Sequence, residues 1–196
     1  MKLLKSLYNW VLHWAHTPYG TPALFGIAFA ESSFFPVPPD VLQIALSISR
    51  PKRSFFYASV SSVASVLGGM AGYAIGVYLM SLVGWPILHF YGLQAQYEHI
   101  QILFQKYDAW AIAIAGFTPI PYKLFTIASG AFSIHFGIFV IASLLSRSAR
   151  FFLVGLLIYF FGESIRGFID RYFNLLTLLF FVLLILGFYL VGVLFR

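Results

Sequence analysis

Glu31-Ser-Ser-Phe-Phe-Pro36-Val-Pro38-Pro39-Asp40 interrupts an otherwise apolar stretch that covers residues 21–49. A straight membrane-spanning helix does not pass through three prolines in four positions. Each proline removes a backbone donor and restricts the residue before it. The reading that fits is two short helices meeting at the break, a re-entrant hairpin. Exposed backbone at membrane depth persists only where protein or a polar cavity covers it. Arg50, Lys52 and Arg53 follow directly and mark an interface.

The same design recurs. Residues 109–133 are apolar and are broken by Pro119-Ile-Pro121, with Lys123 two positions on, just as Asp40 stands two after Pro38. Each broken segment precedes a stretch long enough to span, residues 54–82 and 135–161, against the roughly 20 residues a bilayer core requires. Paired interrupted segments in corresponding halves point to an inverted repeat with a site between its halves. The expected fold is therefore an all-α integral membrane protein. It has two re-entrant helical hairpins and about three transmembrane helices in a single domain, 1–196. Residues 21–82 form the first repeat and 109–161 the second. Residues 83–108, with Trp85-Pro86 and several polar side chains, form an interfacial connector, and the uncharged run 173–195 is a C-terminal span. In residues 1–17, Leu3, Leu4, Leu7, Trp10, Val11 and Trp14 fall at helical spacing opposite Lys2, Lys5, Asn9 and His13, an amphipathic interfacial helix. Gly68, Gly72 and Gly76 repeat a small-xxx-small spacing that admits close helix packing.

Composition agrees. The 196 residues are 61% hydrophobic and 9% charged, with mean hydropathy +0.89, far from the roughly 25% charge of soluble domains. With no cysteine there is no disulfide, thiolate metal site or cysteine nucleophile. The net charge of +6 is scattered among apolar runs, which suits anionic lipid headgroups and excludes a nucleic-acid groove binder. Placing both hairpins as re-entrant gathers Lys2, Lys5, Arg50, Lys52, Arg53, Arg166 and Arg171 on one side, leaving Lys106 and Arg196 on the other. By the positive-inside rule the N-terminus is then cytoplasmic.

Five charges fall within apolar segments: Glu31, Asp40, Lys123, Arg147 and Arg150. Unpaired, they would cost about 12–18 kcal/mol in total on the membrane-insertion scale. They must converge or face water. Three cations against two carboxylates leave one positive charge uncompensated, and a guanidinium fork suits phosphate. The expected site therefore has Lys123, Arg147 and Arg150 as anion ligands, Glu31 and Asp40 as proton-sensitive gates, and Pro36, Pro38, Pro39, Pro119 and Pro121 as the breaks. The five histidines sit in interfacial stretches or at the start of a span and are not assigned to the site. No H-E-x-x-H or G-x-S-x-G pattern is present, so the chain is read as a non-enzyme without metal or cofactor.

The Glu31–Asp40 motif resembles the first signature of the DedA family, also called SNARE-associated or VTT-domain membrane proteins. Gly116-Phe-Thr-Pro119-Ile-Pro121-Tyr-Lys123, running to Ala128-Ser-Gly130, resembles the second. Many members carry arginines flanking the second break. Here Gly116 and Tyr122-Lys123 stand there, and Arg147 and Arg150 lie in the following span, as in the YqaA-like branch. The resemblance implies two opposed re-entrant hairpins in a bacterial inner membrane protein. It also implies flipping or scrambling of phospholipid or polyprenyl phosphate, and a part in proton-dependent envelope homeostasis. The expected partners are phosphate-bearing lipids and protons or cations, and a homo-oligomer is compatible with them. The alternatives are a proton- or cation-coupled antiporter of a small solute and a non-transporting membrane scaffold.

Overall fold

A computed structural model describes residues 14, 17–34, 38–106, 108–117 and 122–162. The expected N-terminal amphipathic helix, apart from Trp14 and Thr17, and the C-terminal span 173–195 lie outside the described residues. So do Pro36, Pro119 and Pro121.

All regular structure among the described residues is helical. Helix α1 covers Gly20–Ser33 and α2 covers Asp40–Ser49, on either side of the first proline break. Pro39 caps α2 in helical geometry, and Asp40 sits in the first turn, where the helix dipole favours a negative charge. A 3-10 turn, Pro51–Arg53, leads into α3, Ser54–Leu79. A π turn, Met80–Gly84, then joins α3 to α4, Trp85–Tyr91, without a break. The first span is thus longer than the sequence pattern suggests, one helical run over Pro51–Tyr91. Pro86 supplies the reason for the π turn: with no N–H it cannot donate to the carbonyl of Leu82, and the helix widens locally, Trp85 N–H donating to the Met80 carbonyl five residues back. Gly92 (φ 65°) ends α4 in the left-handed region, with Leu93 N–H donating to the Leu88 carbonyl at 2.9 Å.

The second half repeats the plan. Helix α5, Gln94–Lys106, connects to α6, Asp108–Phe117, and α7 is Tyr122–Ala131 beyond the second break. Helix α8 then runs Phe136–Gly162. Helices Pro51–Tyr91 and Phe136–Gly162 are the two described helices long and apolar enough to cross a membrane.

The connector α5 is no loose loop. It caps the end of α7: Tyr97 Oη donates to the Ala131 carbonyl (2.7 Å) and Gln101 Nε2 to that of Phe132 (3.0 Å). Burial raises the Tyr97 pKa above its ordinary value, which keeps the phenol a donor. The same end of α7 turns through Ser133 at φ 55°, while Ile134 N–H donates to the Ser129 carbonyl at 2.9 Å. A side chain in that left-handed seat costs roughly 1–2 kcal/mol. Ser133→Gly is expected to raise stability by about 1 kcal/mol, read as a higher melting temperature in detergent.

The halves exchange arms. Helix α1 lies on α3 so closely that a Cβ at Gly68 would strike the Phe29 carbonyl. On the far half of α3, Gly76 faces the Ile127 carbonyl of α7 and Gly130 of α7 faces the Tyr73 carbonyl. Helix α2 reciprocates on the other span, with Gln43 Nε2 donating to the Phe151 carbonyl of α8 at 2.9 Å. The helix after each break therefore packs on the span of the opposite half. Two apolar clusters hold this together: Leu24, Ile27, Leu42, Leu46 and Tyr57 in one half, and Phe104, Ile112, Tyr122, Ile134 and Phe139 in the other.

Candidate functional site: a buried charge cluster between the helix breaks

The arm exchange brings α1 and α7 together. The end of α1 meets the start of α7, where Thr126 Oγ1 donates to the Ser32 carbonyl at 3.2 Å. Arg147 of α8 enters this meeting point and is only 2% exposed. Its Nη2 pairs with Glu31 Oε2 of α1 at 2.8 Å, and its Nε donates to Ser65 Oγ of α3 at 2.6 Å. Ser32 Oγ lies 2.6 Å from Ser65 Oγ and 3.1 Å from the Glu31 carboxylate. The guanidinium sits between aromatic faces, 5.0 Å from the Tyr122 ring centroid and 4.8 Å from that of Phe151. Tyr122 Oη in turn donates to Ser143 Oγ of α8. One arginine thus ties α1, α3, α7 and α8 together.

Arg150 takes a different partner. Its Nη2 lies 2.7 Å from Asp40 Oδ2, both side chains being about one-fifth exposed. Residues three apart on a helix share a face but diverge by about 60° around its axis. Arg147 therefore reaches back to the acid before the first break, and Arg150 reaches the acid after it.

Lys123 is the exception. It stands in the first turn of α7, next to Tyr122, half-buried and with no carboxylate partner among the described residues. The reason is compositional. Helix α7 packs along α3, and α3 carries no Asp, Glu, Lys or Arg anywhere in its length. Asp40, at the matching position after the first break, faces α8 and its Arg150.

The structure thus brings Glu31 and Arg147 together, and Asp40 and Arg150. It leaves Lys123 beside the Arg147 cluster through Tyr122. Pro38 and Pro39 stand immediately before α2, and no described group of three His, Asp or Glu side chains forms a metal-binding cluster. Two clefts of about 520 and 200 Å³ lie elsewhere, against Trp14, Tyr19 and Gly26, and against Trp85, Tyr97 and Gln101; none of the five charged residues lines them. Sequence reasoning missed Ser32, Ser65, Tyr122 and Thr126. A signal existed for Ser65, because Ser54, Ala58, Ser61, Ser65, Gly68 and Gly72 form one small-residue stripe at spacings of three and four.

Comparison with known proteins places this arrangement. The VTT domain pattern matches residues 35–160, which include both breaks and both arginines of α8. An uncharacterized protein of Haemophilus influenzae is 37% identical over 164 residues, covering 84% of this chain and 85% of that one. An uncharacterized protein of Histophilus somni is 36% identical over 154 residues, covering 79% and 80%. No solved structure matches significantly. The resemblance carried by the two proline motifs is thereby shown, and the chain belongs to the VTT domain family of membrane proteins, the DedA family.

Proposed function

We propose that the protein moves an anionic lipid phosphate, a phospholipid or polyprenyl phosphate, across the bilayer. The single observation that carries this reading is Lys123: a half-buried cation beside a buried charge cluster, facing a span without a carboxylate. A cation at membrane depth is expensive unless it is paired or hydrated, and a phosphate headgroup supplies the missing charge. In this reading the two helix breaks are tips of opposed re-entrant hairpins in a bacterial inner membrane, with the N-terminus cytoplasmic. The protein acts as a transporter and not as an enzyme.

Glu31 supplies the coupling. In the observed arrangement it occupies Arg147 Nη2 at 2.8 Å, so a headgroup competes with a carboxylate for that donor. A proton on Glu31 removes the competing charge and releases the guanidinium for the anion, and Asp40 and Arg150 repeat the exchange nearer the surface. Loading of the headgroup then accompanies uptake of a proton. The small-solute antiporter shares the gating acids but leaves Lys123 without a role. In the scaffold reading the ion pairs only lock the helices.

The test is transbilayer movement of a fluorescent phospholipid and of a polyprenyl phosphate in vesicles containing the purified protein. Lys123→Gln breaks no ion pair among the described residues, so its melting temperature should match the parent. Its rate of lipid movement should fall about tenfold or more, the loss of one strong charge-assisted contact. An unchanged rate in a folded Lys123→Gln protein would falsify this assignment. Solute-driven collapse of a proton gradient with no lipid movement would favour the antiporter.

A further inference from the structure

Helices α2, α3 and α8 meet in a seam on the far side of Phe151 from the break. On the α2 and α3 sides, three buried oxygens have no hydrogen-bond partner among the described residues: Gln43 Oε1, Ser47 Oγ and Ser61 Oγ. All three residues are 0% exposed. A helical serine buried away from water ordinarily donates to the carbonyl four residues back. Ser62 does so to Ala58 at 2.8 Å and Ser146 to Ala142 at 2.7 Å. Ser47 and Ser61 make no such bond among the described residues, so each hydroxyl proton can reach another acceptor.

Contacts on either side fix where these groups lie. Gln43 and Ser47 are one turn apart on one face of α2, and the Gln43 amide nitrogen is anchored to the Phe151 carbonyl of α8. On α3, Ser54 and Ala58 lie against Gly155 of α8, while Ser65 bonds Arg147. Ser61 stands between them on the same stripe, at the level of Phe151. The neighbouring apolar side chains Leu42, Leu46 and Tyr57 close the seam on the α2–α3 side.

We propose that an internal water molecule is bound here by Gln43 Oε1, Ser47 Oγ and Ser61 Oγ. Donor arithmetic selects water. The orphans are two hydroxyls, each with a proton to give, and one amide oxygen that only accepts. A water accepts from both serines and donates to Gln43, closing the three bonds that buried waters typically make. A metal cation would take the oxygen lone pairs and leave both hydroxyl protons without an acceptor. Ser61 lies one turn from Ser65, so this water lengthens the polar file of Glu31, Ser32, Arg147 and Ser65. The file then extends toward the end of the bundle where Arg50, Lys52 and Arg53 stand. The site depends only on packing and holds whether or not the protein moves lipid.

Radiolytic hydroxyl-radical footprinting of the full-length protein in lipid nanodiscs tests this, because bound water oxidises the side chain beside it even where bulk solvent is excluded. Phe151 should be labelled, while Phe139, equally buried in the second apolar cluster, should not. Ser61→Ala should cut the Phe151 labelling rate about fivefold through loss of the water. It should also lower the melting temperature by about 2–4 °C, the effect of about one lost hydrogen bond in a protein of this size. Phe151 as unreactive as Phe139, or labelled equally in Ser61→Ala, overturns the proposal. So does a rise in melting temperature, the outcome in a dry seam from which an orphan hydroxyl has been removed.

Discussion

Replacing Arg147 by methionine should destabilise the protein by about 3–5 kcal/mol, the usual result of removing one partner from a buried ion pair. The guanidinium is 2% exposed and engages Glu31 and Ser65 between two aromatic faces. Methionine fills much of its volume, so packing is not the main loss. What remains is the Glu31 carboxylate, with Ser32 Oγ as its only other described donor. The controlling experiment is a double-mutant cycle with Glu31→Leu, measured by denaturant titration in mixed micelles. Because the desolvation penalty disappears with the pair, the double variant should lie within about 2 kcal/mol of the parent protein. An Arg147→Met variant that loses less than about 1 kcal/mol would mean that the side chain is not buried against Glu31. If the double variant is stable yet lacks a lipid movement that the parent shows, the pair serves function. If it is stable and active, the pair is a lock.

The second large effect lies in the glycines of α3 and α7. A Cβ at Gly68 would overlap the Phe29 carbonyl and its Cα, and one at Gly130 would overlap the Tyr73 carbonyl. In both cases the obstacle is backbone, which has no rotamer to give way. Gly68→Val and Gly130→Val should each cost about 3 kcal/mol or more, at the upper end of overpacking effects, because α1 or α7 must lift from α3. Gly26→Val is the control. Nothing lies within 4 Å of a Cβ there, and the change should stay within about 1 kcal/mol. Equal melting temperatures for the Gly68 and Gly26 variants would contradict the close approach of α1 to α3.

Lift of α1 would also carry Glu31 away from Arg147, so Gly68→Val should impair any activity of the charge cluster even in molecules that remain folded. Gly130→Val acts on the other half and moves Thr126 away from the Ser32 carbonyl. The two substitutions therefore probe the same meeting point from opposite sides.

Much of this is legible in the sequence. Pro36, Pro38, Pro39, Pro119 and Pro121 announce two breaks because proline chemistry is local: no tertiary context returns the missing donors. The membrane class follows from hydropathy and the scarcity of charge, both properties of the chain alone. The five depth charges are visible for the same reason, as exceptions within apolar runs. The length of the first span was not legible. Trp85-Pro86 reads as a helix end, and only the π turn lets the helix continue to Tyr91.

Which charge meets which partner was decided by the fold. Glu31, Asp40, Arg147 and Arg150 permit several pairings on paper, and the sequence is silent between them because the partners are more than 100 residues apart. Arm exchange resolves the choice by setting α1 and α2 at different angles around α8, so that Arg147 faces Glu31 and Arg150 faces Asp40. The same packing sets Lys123 against a helix without carboxylates and puts Ser65 and Tyr122 beside Arg147. Local chemistry in the sequence determined which residues could not lie in lipid. Only the distances between helices determined which of them satisfy one another and which cation is left over.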